Sequence, residues 1–243
     1  MVEIGFHDIH PAVYMWHILG GAVSGILWYL CQPAPVSGFY FLFAIFNMFA
    51  IIVYIFGWFS DLTEDSWDWE QDEDDPREIG KWVIVGLLCV LGVSIVVSLY
   101  IQEAFSMIWV PMELSPLSLS GSATLAFVIA LAGTWFAVVP GEEGLKTIFS
   151  STFKSYEHFW HNVFPFGLQP ARLLANSAWA ILHIILGQNP VPFFFSVLIA
   201  GILWDIFSAK CGTILVSYFV HGIFNSIILT ATFITTLGLT LVW

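Results

Sequence analysis

Two adjacent carboxylates, Glu142 and Glu143, and one lysine, Lys146, lie in an otherwise apolar stretch of this chain, residues 134–149. Ionisable side chains are costly at the depth of a hydrocarbon core, and they persist there where they pair or meet water. Residues three or four positions apart lie on one helix face, so Lys146 would reach the acids. The three residues therefore mark a candidate acid–base site. The alternative is a structural ion pair at a helix end.

Two later apolar stretches each carry a histidine paired at a spacing of four, in Trp179-Ala-Ile-Leu-His183 and His221-Gly-Ile-Phe-Asn225. At about 1.5 Å per residue, His183 lies about 20 Å from residue 170 and His221 about 14 Å from residue 212, counted from the same membrane side. Glu142 reaches a similar depth only if its helix continues to about residue 153. The three side chains are then predicted to converge, although either histidine alone would suit packing between helices.

The composition predicts the elements that must position these residues. The chain has 243 residues, of which 58% are hydrophobic and 10% charged, with a mean hydropathy of +0.86. These values are typical of an all-α polytopic transmembrane helical bundle, here a single membrane domain over residues 1–243. Seven spans are predicted, at residues 11–31, 38–59, 82–102, 124–153, 170–187, 190–208 and 212–235. A helix over 212–243 would be roughly 48 Å long, so an eighth short segment is the alternative.

The charge of the chain is concentrated in one polar segment. Residues 60–81 hold ten acidic residues against Arg77 and Lys81, within a net charge of −12. The segment predicts a solvated acidic loop, with binding of a cation or a basic partner as the alternative. Nucleic acid is not an expected partner. The cysteines are scattered and form no CxxC pattern, which predicts neither a disulfide nor a cysteine metal site. The first ten residues lack the basic region of a cleaved signal peptide.

The basic residues also predict an orientation. On a count of seven spans, the lysines and arginines of the loops and span ends all fall on the side of the N-terminus; they are Arg77, Lys81, Lys154, Arg172 and Lys210. Positively charged loops remain in the cytoplasm, so the chain is predicted to be an integral membrane protein with a cytoplasmic N-terminus.

Three other features accompany the candidate site. Pro140-Gly141, directly before the acids, is expected to kink the helix and free backbone carbonyls that protein or water must cover. His17, in the first predicted span, is expected to pack between helices. Asp205 is expected to extend to, or pair at, the cytoplasmic interface, with support of His221 as the alternative.

The order of the three motifs resembles the CPBP superfamily, which includes type II CAAX prenyl endopeptidases, Abi proteins and bacteriocin-processing proteins. The motifs are Glu-Glu-x-x-Lys, then aromatic-x-x-x-His, then His-x-x-x-Asn, each on its own helix. The resemblance covers residues 124–230, whereas the spans in residues 1–110 carry no motif. The usual first motif is EExxxR; here Thr147 stands at the arginine position, and EExxK looks like the related PrsW group. Trp179 stands where the family usually has Phe.

The resemblance implies an intramembrane protease that acts on a membrane-presented peptide or a lipidated protein. Glu142 with His183 would hold and deprotonate a water molecule, and His221 with Asn225 would stabilise the oxyanion. Glu143 and Lys146 would poise and orient these groups, and Trp179 would support them. No cofactor is implied.

Three alternatives remain open from the residues themselves. Two histidines and a glutamate could bind Zn²⁺, although HExxH is absent. The same fold could be a non-catalytic scaffold or assembly subunit of a membrane complex, with partner subunits. The buried ionisable groups could instead form a proton or ion path in a transporter.

Overall fold

The computed structural model describes residues 11–32, 37–56, 76–100, 123–154, 170–187, 191–211 and 215–236. The described part of the chain is all-helical, with seven helices and no strand, so the all-α class is confirmed. The helices are α1 (Pro11–Leu30), α2 (Ser37–Phe56), α3 (Pro76–Tyr100), α4 (Ala123–Gly133, π-helical Thr134–Val138 and Val139–Lys154 without a break), α5 (Pro170–Gly187), α6 (Val191–Cys211) and α7 (Leu215–Thr236).

Two predicted boundaries are wrong. Helix α3 begins at Pro76, inside the predicted acidic loop, because proline suits the first helical position and Glu78 forms an ion pair with Lys81 at 2.8 Å. Helix α6 continues through Lys210 to Cys211, where a turn was predicted. Most of the acidic segment, and any eighth segment after residue 236, lie outside the described residues.

Helix α4 is central to the arrangement. Its last segment packs against α2 on one side and α5 on the other, while α1 covers the π-helical turn. Helix α5 packs on α6, and α7 packs on α3 and α6 while also touching α4. The predicted convergence of Glu142 with the two histidines required its helix to continue to about residue 153. Helix α4 continues to Lys154, so this condition is met.

Two glycines of α4 allow the first two helices to approach closely. A Cβ atom on Gly141 would lie 2.6 Å from Cδ1 of Phe43, and one on Gly144 would lie 3.1 Å from Cε1 of His17. Real Cβ atoms essentially never approach to 2.6 Å, so position 141 needs glycine, whereas a side chain at position 144 would require His17 to shift by a few tenths of an ångström. Small residues at helix contacts are typical of bundles inside membranes.

The predicted disturbance near Pro140 takes the form of a π-helical turn. The N–H of Val139 bonds to the carbonyl of Thr134, five residues earlier. Pro140 has no N–H to continue this register, which leaves the carbonyl of Trp135 available. The indole Nε1 of Trp16 donates to that carbonyl over 2.7 Å. Protein from α1 therefore covers the freed backbone group.

The described helices bury a set of polar side chains among apolar ones and also expose large apolar side chains. The buried side chains include His17, Asn47, Glu143, Lys146, Arg172, Asn176, Asp205, Ser217 and His221. Each of the seven helices meanwhile exposes large apolar residues, for example Ile26, Met48, Leu88, Val128, Ile185, Phe195 and Ile227. The three cysteines are free.

One of the described helices, α1, is long and apolar enough to cross a membrane. The stretch Val13–Leu30 has 18 residues, a mean hydropathy of 1.3 and 28% of its residues buried. Shorter apolar stretches lie in four other helices, at Ser37–Ile52, Arg172–Ile185, Phe194–Ser208 and Leu215–Ala231.

Candidate active site

Glu142 lies where three helices meet. Its Oε2 accepts a hydrogen bond from Nε1 of Trp179 at 3.0 Å and lies 3.4 Å from Nε2 of His221. Its Oε1 lies 3.7 Å from Nε2 of His183. The side chain of Glu142 is 13% exposed and that of His183 is 24% exposed. The cluster therefore has one side, formed by Glu142 and His183, that solvent can reach.

The orientation of His183 follows from its backbone contact. Its Nδ1 lies 3.0 Å from the carbonyl of Trp179, one turn earlier in α5. A carbonyl only accepts, so this ring nitrogen carries the proton and donates. In the neutral imidazole, Nε2 is then a proton acceptor, and it is this atom that faces Glu142. His183 is thus presented as a base.

His221 bridges the two carboxylates. Its Nδ1 lies 2.9 Å from Oε1 of Glu143, while its Nε2 faces Glu142. The ring of Trp204 stacks on the imidazole, with centroids 4.3 Å apart and an angle of 22°. His221 is 1% exposed. Its position is therefore set by a hydrogen bond on one edge and an aromatic ring on one face.

Glu143 differs from its neighbour because it is completely buried. It forms an ion pair with Nζ of Lys146 at 2.9 Å and accepts a hydrogen bond from Oγ of Ser217 at 3.0 Å. Together with His221, these contacts give Glu143 three polar partners. A carboxylate held in this way orients other groups and is not available to solvent or substrate.

Lys146 is enclosed on several sides. Besides its contact with Glu143, its Nζ lies 3.9 Å from Oδ1 of Asp205. It also lies 5.2 Å from the ring centroid of Trp179 and 5.3 Å from that of Trp204. A cation placed over aromatic faces gains from the ring quadrupoles, and more so away from water. Lys146 is thus a buried structural cation.

Asp205 forms an ion pair, which was one of the two expectations for it, but the other expectation, that it extends to solvent, is wrong. Asp205 is fully buried, accepts from Nη2 of Arg172 at 2.7 Å and bonds to the amide of Asn176. A carboxylate with two buried donors and a nearby cation is stabilised inside the bundle, so it has no need to reach water.

Arg172 must also be removed from the count of loop cations. It lies in the first turn of α5 and is 2% exposed, where it pairs with Asp205. The side chains of Lys154 and Lys210 lie outside the described residues. Among the described side chains, the predicted orientation therefore depends on exposed Arg77 and Lys81 at the start of α3.

Four of the five predicted catalytic residues are brought together, namely Glu142, Glu143, His183 and His221. Asn225 lies one turn beyond His221 on the same face of α7 and is half-buried. Within the described part of the chain, no hydrogen bond or ion pair joins Asn225 to the cluster. Its amide therefore has donors to offer to a bound group.

His17 belongs to a separate network between helices, in agreement with the packing role expected for it. Its Nδ1 lies 2.9 Å from Oδ1 of Asn47, and its Nε2 lies 2.6 Å from the hydroxyl of Tyr218. The neutral imidazole, with Nδ1 donating and Nε2 accepting, satisfies both partners. This network ties α1 and α2 to α7.

Sequence reasoning missed Arg172, Asn176, Trp204 and Ser217. One signal was present in α5, because residues 172, 176, 179 and 183 follow spacings of four, three and four and share one face. Ser217 similarly precedes His221 by one turn. The apolar context of Trp204 gave no sign of its stacking.

Among the residues that the structure describes, no group of three or more His, Cys, Asp and Glu side chains is arranged to hold a metal ion.

Comparison with protein-family models, with curated proteins and with solved structures finds no match to this chain.

Proposed function

We propose that the protein is an intramembrane protease of the CPBP type that hydrolyses a peptide bond with a water molecule activated by Glu142 and His183. The observation that carries the proposal is the convergence of Nε2 of His183 and Nε2 of His221 on the carboxylate of Glu142. Glu142 and His183 also form the partly exposed side of an otherwise buried cluster.

The first step is activation of water. The 3.7 Å between Oε1 of Glu142 and Nε2 of His183 is longer than a direct hydrogen bond, and a water molecule beside the pair can bond to both. Glu142 or His183 takes a proton as the water oxygen attacks the carbonyl carbon of the substrate. The same group then gives that proton to the departing amide nitrogen, so the protein ends the cycle unchanged.

The second requirement is stabilisation of the oxyanion. The cluster contains three carboxylates, from Glu142, Glu143 and Asp205, against the two basic side chains Lys146 and Arg172. A proton on His221 makes the charges balance, and His221 then donates from both ring nitrogens. Its Nε2–H and the amide of Asn225 are the donors that we assign to the oxyanion.

The setting that we propose is a polytopic bundle in a lipid bilayer. Exposed apolar residues on every described helix, with a paired polar cluster buried in the interior, suit a hydrocarbon solvent, in which an exposed apolar surface carries no penalty. The substrate class is a peptide or lipidated terminus presented from the membrane. We place the N-terminus in the cytoplasm, with Arg77 and Lys81 as the supporting cations.

Reconstituted cleavage tests the proposal. Purified protein in liposomes is incubated with a pool of membrane-anchored peptides, and products are identified by mass spectrometry. The wild type is expected to cleave and Glu142→Gln is expected not to, with Asn47→Leu as a control outside the cluster. Cleavage that survives Glu142→Gln would contradict the mechanism. Loss of cleavage with a zinc chelator, and recovery with added zinc, would favour the metal alternative.

A second candidate is a non-catalytic assembly subunit. It is favoured by the continuity of the buried ion pairs, which join α4 to α5, α6 and α7 and would hold a bundle together without any reaction. If the wild type retains partner subunits during purification, cleaves none of the peptides, and loses those partners on Glu142→Gln, this candidate replaces the protease.

A further inference from the structure

We propose that Asp205 is a positioning residue of the active cluster, which acts on His221 through Lys146 and Glu143. The inference deepens the proposed function and rests on it for the catalytic consequence. It adds a residue that none of the three motifs contains.

The first step is the environment of Asp205. Its carboxylate is fully buried and sits between two cations from different helices, Arg172 of α5 at 2.7 Å and Lys146 of α4 at 3.9 Å. Asn176 donates to its other oxygen while also donating to the carbonyl of Arg172. Asp205 is thus the anion that joins α4 and α5 to α6.

The second step leads from Asp205 to His221. Lys146 lies between the two anions Asp205 and Glu143, and Glu143 in turn bonds to Nδ1 of His221. The chain of contacts ends at Nε2 of His221, 3.4 Å from Glu142. Buried polar networks of this kind polarise along their length, so a change at one end reaches the other.

The third step concerns the two tryptophans beside Lys146. Trp179 donates to Glu142, and Trp204 stacks on His221. If the carboxylate of Asp205 is removed, Lys146 has only Glu143 as an anionic partner within this chain of contacts. A shift of Lys146 would move both rings, and through them both reacting groups.

The structure assigns a specific pattern of kinetic loss to Asp205→Asn. The amide of asparagine keeps the shape of the carboxylate. Its N–H₂ group would, however, face either the cations Arg172 and Lys146 or the N–H₂ donor of Asn176.

Outer groups that orient the functional residues of metal sites commonly change affinity or activity by roughly ten- to a hundredfold when they are replaced. Asp205 orients His221 in a comparable way, through Lys146 and Glu143. We expect kcat to fall within that range and KM to stay within about twofold, because Asp205 is buried away from the partly exposed Glu142 and His183.

A chemical readout separates positioning from general loss of stability. Wild type and variants in nanodiscs are treated with diethyl pyrocarbonate, and modification of His221 and His17 is followed by mass spectrometry. Both histidines are buried in hydrogen-bonded networks, so both are expected to react slowly in the wild type. Asp205→Asn is expected to raise the rate at His221 severalfold and leave His17 unchanged. The matched control, Asn47→Leu, is expected to do the reverse and to leave kcat unchanged.

Combined variants test the path through Lys146. If Asp205 acts through Lys146, then Lys146→Gln and the double variant should lower kcat by about as much as Asp205→Asn alone. Losses that multiply, or equal modification of both histidines, would overturn the proposal. Should Asp205→Asn fold incorrectly, Lys146→Gln interrupts the same path at its next residue and must show the selective change at His221.

The outcomes also distinguish the two proposals. A wild type that cleaves no peptide contradicts the protease, whereas the selective reactivity of His221 still tests the positioning role. A wild type that cleaves, with His221 and kcat indifferent to Asp205→Asn, contradicts the positioning role alone.

Discussion

Trp179 donates its indole N–H to the carboxylate of Glu142 over 3.0 Å, from one turn before His183. The aromatic residue of the second motif is therefore a hydrogen-bond donor to the proposed base and also a packing surface. A phenylalanine at this position would keep the surface and lose the donor.

Trp179→Phe is expected to lower kcat by roughly tenfold to a hundredfold. A hydrogen bond to a charged group contributes about 1.5–3 kcal/mol, and about 1.4 kcal/mol corresponds to a factor of ten. Steady-state cleavage of a fluorescent peptide in liposomes gives the measurement. Trp28→Phe, at a partly exposed site against Phe41, is the control. An unchanged kcat would show that the bond has no part in the reaction.

The two adjacent glutamates are expected to differ in what they do for stability. Glu143→Gln leaves Lys146 without its closest anion in a site closed to solvent, and breaking a buried pair costs about 3–5 kcal/mol. Glu142→Gln is expected to change the free energy of unfolding by less, because the side chain reaches solvent and the amide can still accept from Trp179. Unfolding in mixed micelles with increasing denaturing detergent compares the two. Equal losses would contradict the separate roles.

Asn225→Ala is expected to lower kcat by about a hundredfold or more, which is the effect of removing one oxyanion donor in comparable sites. Stability should change little, because no hydrogen bond of the described residues holds the Asn225 amide. Paired measurements of kcat and of the thermal unfolding midpoint test both parts. A large fall in the midpoint with normal kcat per folded molecule would assign Asn225 a structural role.

The proposed orientation predicts the labelling of a single cysteine at Gln71. With Cys31, Cys89 and Cys211 replaced by serine, a membrane-impermeant maleimide should leave this cysteine unlabelled in intact cells and label it in inside-out vesicles. Labelling in intact cells would reverse the topology. It would not affect the geometry of the cluster.

Helical spacing in the sequence was sufficient to predict the helices and the meeting of Glu142, His183 and His221. Spans of about twenty apolar residues and pairs spaced by four depend only on helix geometry, which is local. The same reasoning placed α3 and α6 correctly but predicted the start of α3 and the end of α6 wrongly. Pro76 and Glu78 start α3 inside the acidic segment. The position of a residue along its helix can be calculated from its residue number and the rise per residue.

The roles within the cluster depended on contacts that no local pattern contains. Adjacent residues of a helix point about 100° apart, so which of Glu142 and Glu143 faces solvent is decided by the helices that pack around α4. The pairing of Asp205 with Arg172 joins residues 33 positions apart, and the Glu143 to His221 bond joins residues 78 apart. Contacts between residues so far apart in the sequence form only in the packed bundle. Burial makes an unpaired ion costly, so each of these charged groups is stabilised by its partner.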